Sequence, residues 1–65
     1  MTRYRYSIFA TYGDGQEQAE FFSADKGDAE LLYRIATESG IFDYVSLNKM
    51  VEGDVTMKEW VSHEQ

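Results

Sequence analysis

The sequence contains no cysteine and no proline. Without cysteine the chain can form no disulfide, ligate no metal through thiolate and offer no thiol nucleophile. Nothing marks an oxidising compartment, so a cytosolic, soluble protein is expected. Without proline, no rigid residue interrupts an exposed strand, and any free sheet edge must be guarded by charge, for which Lys49, Lys58 and Glu59 are the candidates. No apolar run approaches the roughly 18 residues a membrane helix needs, and none follows the first residues as a leader would require.

Catalytic groups are as scarce. The single histidine, His63, stands near the end of the chain. The serines at positions 7, 23, 39, 46 and 62 occur in no G-x-S-x-G context, so the base and the positioned nucleophile of hydrolytic chemistry are both missing. Gly13-Asp14-Gly15 lacks the Lys-Ser/Thr pair and helix start of a phosphate loop. Asp25, Asp28 and Glu30 lack the alternating oxygen ligands and closing glutamate of a calcium loop, and Glu17 and Glu20 point to opposite faces of a strand. No enzymatic activity, metal or cofactor is expected.

Basic residues are few: six against twelve acidic ones, for a net charge of −6. Arg3 and Arg5 precede every acid, so residues 14 to 65 hold four basic and twelve acidic groups. Such a surface repels phosphate backbones and suits a basic partner. Within it, Asp14, Glu17, Glu20, Asp25, Asp28 and Glu30, offset by Lys26 alone, form a candidate acidic stripe over residues 13 to 30.

What the chain has in plenty is ring surface, with four phenylalanines, five tyrosines and one tryptophan in 65 residues. Residues 3 to 12 alternate Tyr4, Tyr6, Ile8, Ala10 and Tyr12 against Arg3, Arg5, Ser7, Phe9 and Thr11, the period of a strand. Asp14-Gly15 suits the centre of a two-residue type I′ turn. That turn sets Ala10 opposite Ala19, Ile8 opposite Phe21, Phe9 opposite Glu20 and Ser7 opposite Phe22. A three-residue loop would set Ile8 against Glu20 and bury less apolar area.

The next segment, residues 23 to 40, reads as a helix. Ser23 or Asp25 supplies the N-cap, acids occupy the first turn, Leu31, Leu32, Ile35 and Ala36 form an apolar stripe, and Gly40 is the left-handed stop. Gly27 disfavours helix by about 1 kcal/mol, which places the regular start at Asp28. Ile41 at C″ is expected to pack back on Ala36 in a Schellman ending. Residues 41 to 51 and 55 to 62 read as two further strands. Their turn is either Gly53-Asp54 or Glu52-Gly53-Asp54, and the two place different faces together.

The chain is therefore expected to be one α+β domain over 1–65, ββαββ, with a four-stranded antiparallel sheet and one helix packed on one face. Tyr4, Tyr6, Ile8, Phe21, Leu31, Leu32, Ile35, Val45, Leu47 and Val51 would fill its core. Phe9, Phe22, Tyr44, Met50 and Trp60 are left over, a candidate aromatic patch on the uncovered face or along its edge. Chains of this length bury only about 60% of their unfolded surface, so a partner would add stability.

Together these features predict a non-enzymatic module for protein–protein contact. One form is an inhibitor or adaptor that meets a basic macromolecule, and small acidic inhibitors made by phages and mobile elements are similar in size and charge, though no motif is shared. A self-associating accessory subunit, most simply a homodimer, is the alternative. A weaker one is single-stranded nucleic-acid binding through the Arg-Tyr-Arg-Tyr strand, whose two arginines more naturally pair with acids.

Overall fold

A computed structural model of the chain describes residues 4–50, 53 and 55–62. Its elements run β1 (Tyr6–Tyr12), β2 (Glu17–Ser23), α1 (Lys26–Glu38), β3 (Tyr44–Lys49) and β4 (Val55–Val61). The strands form one antiparallel sheet of order β2-β1-β3-β4, and α1 lies across one face, against β3 and β1 and reaching β2. This is the expected α+β architecture.

The first hairpin takes the expected register: Ile8 faces Phe21, Ala10 faces Ala19, Phe9 faces Glu20 and Ser7 faces Phe22. The turn is longer than the expected two residues: Gly13, Asp14 and Gly15 all have positive φ, four residues (13–16) separate the strands, and Gln16 N–H donates to Gly13 O at 3.1 Å within that loop. A second tie fastens the turn: Gly15 N–H donates to the Asp43 carboxylate at 3.0 Å.

Helix α1 is capped by Asp25, whose carboxylate accepts Asp28 N–H at 2.9 Å, while the Ser23 hydroxyl accepts Asp25 N–H at 3.1 Å. The helix begins at Lys26 rather than at Asp28, so Gly27 lies inside it. A Cβ at Gly27 would come within 3.1 Å of the capping Asp25 oxygen, so the missing side chain leaves room for the cap. At the other end Gly40 has φ +78°, as a left-handed stop requires. The Schellman bond is replaced by a relay. Ile41 N–H donates to Ser39 Oγ, and that hydroxyl donates to Ala36 O at 2.8 Å.

The core departs from the expected list. Ile8, Ala10, Ala29, Ala36, Val45 and Leu47 are buried, with Tyr6, Leu32, Tyr33, Phe42, Met57 and Trp60 packed around them. Tyr4, Phe21, Leu31 and Ile35, all expected inside, are exposed by 41–56%; Val51 lies outside the described residues. The reason is helix rotation. Ala29 and Ala36, two turns apart, face the sheet, and at 100° per residue Ile35 then stands roughly 110° and Leu31 roughly 150° round from them. Alanine lets the helix ride close to Ala10, and its larger residues are turned sideways.

The second hairpin takes neither expected turn. Those turns would set Lys49 opposite Lys58 or Met57, whereas Lys49 pairs with Val55 and Asn48 with Thr56. Leu47 then pairs with Lys58, which leaves Met57 as an extra residue in a β-bulge. Val51, Glu52 and Asp54 of that turn lie outside the described residues.

Candidate functional site

The residues expected to form an aromatic patch are divided by the sheet. Phe9, Phe22 and Tyr44 stand on the face away from α1, since each alternates with a residue on the helix side, and Phe9 meets Tyr44 edge-on at 6.2 Å. Phe22 is 44% exposed and leans on Tyr4, ring centroids 5.8 Å apart. Met50 continues the β3 ladder, its N–H donating to Arg5 O at 2.7 Å. Trp60 does not join them. It pairs with Val45 and packs against the core on the helix side.

The centre of the uncovered face is polar and already satisfied. Asn48 Nδ2 donates to Ser7 Oγ and Ser46 Oγ at 3.4 and 3.2 Å, and Thr56 Oγ1 donates to Asn48 Oδ1 at 3.1 Å. Ser7 and Ser46 are each only 4% exposed although no described helix or strand lies over them. The centre of this face is therefore closed by its own hydrogen bonds.

Unburied apolar surface collects instead between α1 and the edge strand β2. A groove of about 300 Å³ is lined by Phe21, Leu32, Ile35, Ala36, Ser39, Ile41 and Phe42, with no charged side chain among them. Ile41, 63% exposed, is its most prominent residue. The sequence marks Ile41 as the C″ residue meeting Ala36, and both do line this groove, but the groove itself is not evident from the sequence. The signal present was Ile41 directly after the Gly40 stop, where a large aliphatic side chain has no helix to continue.

Across α1 a larger and more polar groove of about 500 Å³ is lined by Gly27, Glu30, Leu31, Tyr33, Arg34, Thr37 and Lys58. Lys58 Nζ stands 5.8 Å from the centre of the Tyr33 ring. Burial of the Tyr33 hydroxyl, reinforced by Tyr44 and Glu59, raises its pKa above the ordinary tyrosine value.

The six acids do not form one continuous stripe. Asp14 sits at the first turn, and Glu17 and Glu20 lie on β2, Glu17 on the helix side opposite Tyr12 and Glu20 on the far side opposite Phe9. Asp25 caps α1, Asp28 lies in its first turn, and Glu30 lines the polar groove. Strand β2 thus shows a carboxylate on each face and no cation. Arg5 forms no ion pair among the described residues, where Arg34–Glu38 at 3.4 Å is the pair found; Arg3 lies outside them. Lys58 and Glu59 do stand on an edge strand, but Lys49 is on the interior strand β3.

The backbone of β2 completes the site. Arg5 O and Thr11 O accept from Met50 and Asp43, so the odd-numbered carbonyls of β1 point toward β3. By antiparallel alternation the even positions Tyr6, Ile8, Ala10 and Tyr12 bond to Ser23, Phe21, Ala19 and Glu17. The N–H and C=O groups of Gln18, Glu20 and Phe22 therefore face outward from the sheet. Strand β4, the other edge, is interrupted by its bulge.

Among the described residues no group of three or more His, Cys, Asp or Glu is placed to hold a metal ion, and no helix is long and apolar enough to cross a membrane. His63 lies outside the described residues. No family model matches this chain, and neither does any curated protein or solved structure.

Proposed function

We propose that this chain is a non-enzymatic protein-binding module, acting in the cytosol as an inhibitor or adaptor that engages a basic macromolecule. The observation that carries the reading is the β2 margin, where half-exposed Phe21 and Phe22 and the carboxylates Glu17 and Glu20 stand on opposite faces of one edge strand beside an apolar groove. Exposed rings bracketed by like charges fit recognition of an oppositely charged protein surface better than they fit solvent. Among the described residues the Ser23, Thr37, Ser39 and Thr56 hydroxyls donate to carbonyl oxygens, none of which can serve as a base. Single-stranded nucleic acid is a poor partner, because Glu20 and Glu59 share the uncovered face with Phe9 and Tyr44.

A photoreactive phenylalanine analogue at position 22 tests the reading in cells that express the protein. The expected result is a discrete adduct with a different polypeptide, its yield falling as salt rises. Absence of any adduct, or adducts with the chain's own copies alone, would contradict it.

Self-association is the second reading, and the uncharged lining of the Phe21/Ile41 groove favours it. Apolar burial would hold a homodimer together in high salt. Sedimentation equilibrium would then show a dimer that Ile41→Ser dissociates.

A further inference from the structure

We infer that β2 is a docking edge for strand addition, and that its occupant is an extended segment of a basic partner with alternating cationic and aliphatic side chains. The inference rests on the protein-binding reading and deepens it by naming the contact. Its first support is the row of free backbone groups. Gln18, Glu20 and Phe22 turn their N–H and C=O outward, and no other described element bonds to them. Such a row is a template for another strand.

The second support is side-chain complementarity. A strand laid along this edge places alternate residues on the uncovered face, beside Gln18, Glu20 and Phe22, where a lysine or arginine meets the Glu20 carboxylate. The intervening residues fall on the helix side, beside Ala19 and Phe21, at the mouth of the apolar groove that Leu32, Ile35, Ile41 and Phe42 continue. Aliphatic side chains fit there. Residues 14 to 30 carry six acids and one lysine, so the surroundings attract the same partner.

The same geometry disfavours a second copy of this chain. The two-fold register that uses all three outward positions sets Glu20 directly against Glu20 of the other copy, and like charges directly opposed destabilise a strand pair. It also brings Glu17 and Glu20 of both copies into one ribbon with no cation.

The test uses an end-capped octapeptide of alternating lysine and valine, a counterpart with glutamate for lysine, and a third with alternate amides N-methylated. Amide NMR of the full chain should show downfield shifts centred on Gln18, Glu20 and Phe22 with the lysine peptide. Affinity should fall at least tenfold for the other two peptides. Gln18→Pro removes an outward N–H without touching the β1 ladder and keeps both carboxylates, and it should weaken binding by a similar factor. Should that variant fold poorly, Glu17→Lys with Glu20→Lys gives an independent measure, expected to reverse the preference between lysine and glutamate peptides. Shifts centred on Tyr44, Asn48 and Val61, equal binding of the N-methylated peptide, or no binding at all would overturn the docking edge and leave the protein-binding reading standing. A dimer dissolved by Gln18→Pro would overturn the choice of occupant.

Discussion

The carboxylate of Asp43 accepts the backbone N–H of Gly15 at 3.0 Å, joining the tip of the first hairpin to the connection between α1 and β3 across 28 residues of chain. Asp43 is bonded on its other sides as well: its N–H donates to Thr11 O at 2.7 Å and its C=O accepts Ser62 N–H at 2.8 Å. The backbone of Asp43 thus links β1 and β4 at the turn end of the sheet, and its side chain adds the bond to the hairpin tip. Asp43→Ala should lower stability by about 1–2 kcal/mol, because it removes a charged acceptor from a backbone donor. Asp43→Asn, which keeps a carbonyl acceptor, should lose less. Thermal melts check both, and equal melting temperatures for wild type and Asp43→Ala would remove Asp43 from this role.

Two isoleucines of similar sequence character occupy opposite environments. Ile8 is fully buried and Ile35 is 56% exposed. Ile8→Ala should cost about 2–5 kcal/mol, the range for emptying a buried aliphatic site. Ile35→Ala should cost under about 1 kcal/mol, since little of its surface leaves water on folding. Denaturant titrations measure the pair, and comparable losses would place Ile35 in the core and close the groove.

Tyr33 makes alkaline stability informative. Burial, with Tyr44 and Glu59 nearby, raises its folded-state pKa, so the folded chain holds this proton more tightly than the unfolded chain. Its contribution is complete below the ordinary tyrosine value near 10 and is lost as pH rises through the raised folded value. Tyr33→Phe keeps the ring beside Lys58 and removes the titration, so its melting temperature should decline less steeply than wild type above about pH 10. Parallel curves for the two proteins from pH 8 to 11 would contradict the assignment.

Much of the fold was legible because short-range chemistry decides it. Of the two registers the Gly13-Asp14-Gly15 turn allows, the one that buries more apolar area is the one found, with Ile8 against Phe21 and Ala10 against Ala19. Asp25 and Gly40 bound the helix for equally local reasons. The helix face was misjudged because hydrophobicity alone ranks Leu31 and Ile35 above Ala29. Close approach to Ala10 instead selects the small residues, a preference that resides in the sheet and not in the helix sequence. The bulge at Met57 was illegible for a related reason, since the pairing of β3 with β4 is decided along the ladder as well as at the turn. The site was legible in part. Rings and acids in excess were visible, but the hidden Trp60 and the self-satisfied Ser7–Asn48–Ser46 network move the unsatisfied surface from the uncovered face to the β2 margin.

Amide hydrogen exchange along β2 in the free protein addresses that margin most directly. The Gln18, Glu20 and Phe22 amides should exchange rapidly, while Ala19, Phe21 and Ser23, bonded to β1, should be protected, giving an alternating pattern. Uniformly slow exchange from Gln18 to Ser23, deepening as protein concentration rises, would mean that a second copy already covers the edge and would contradict the account.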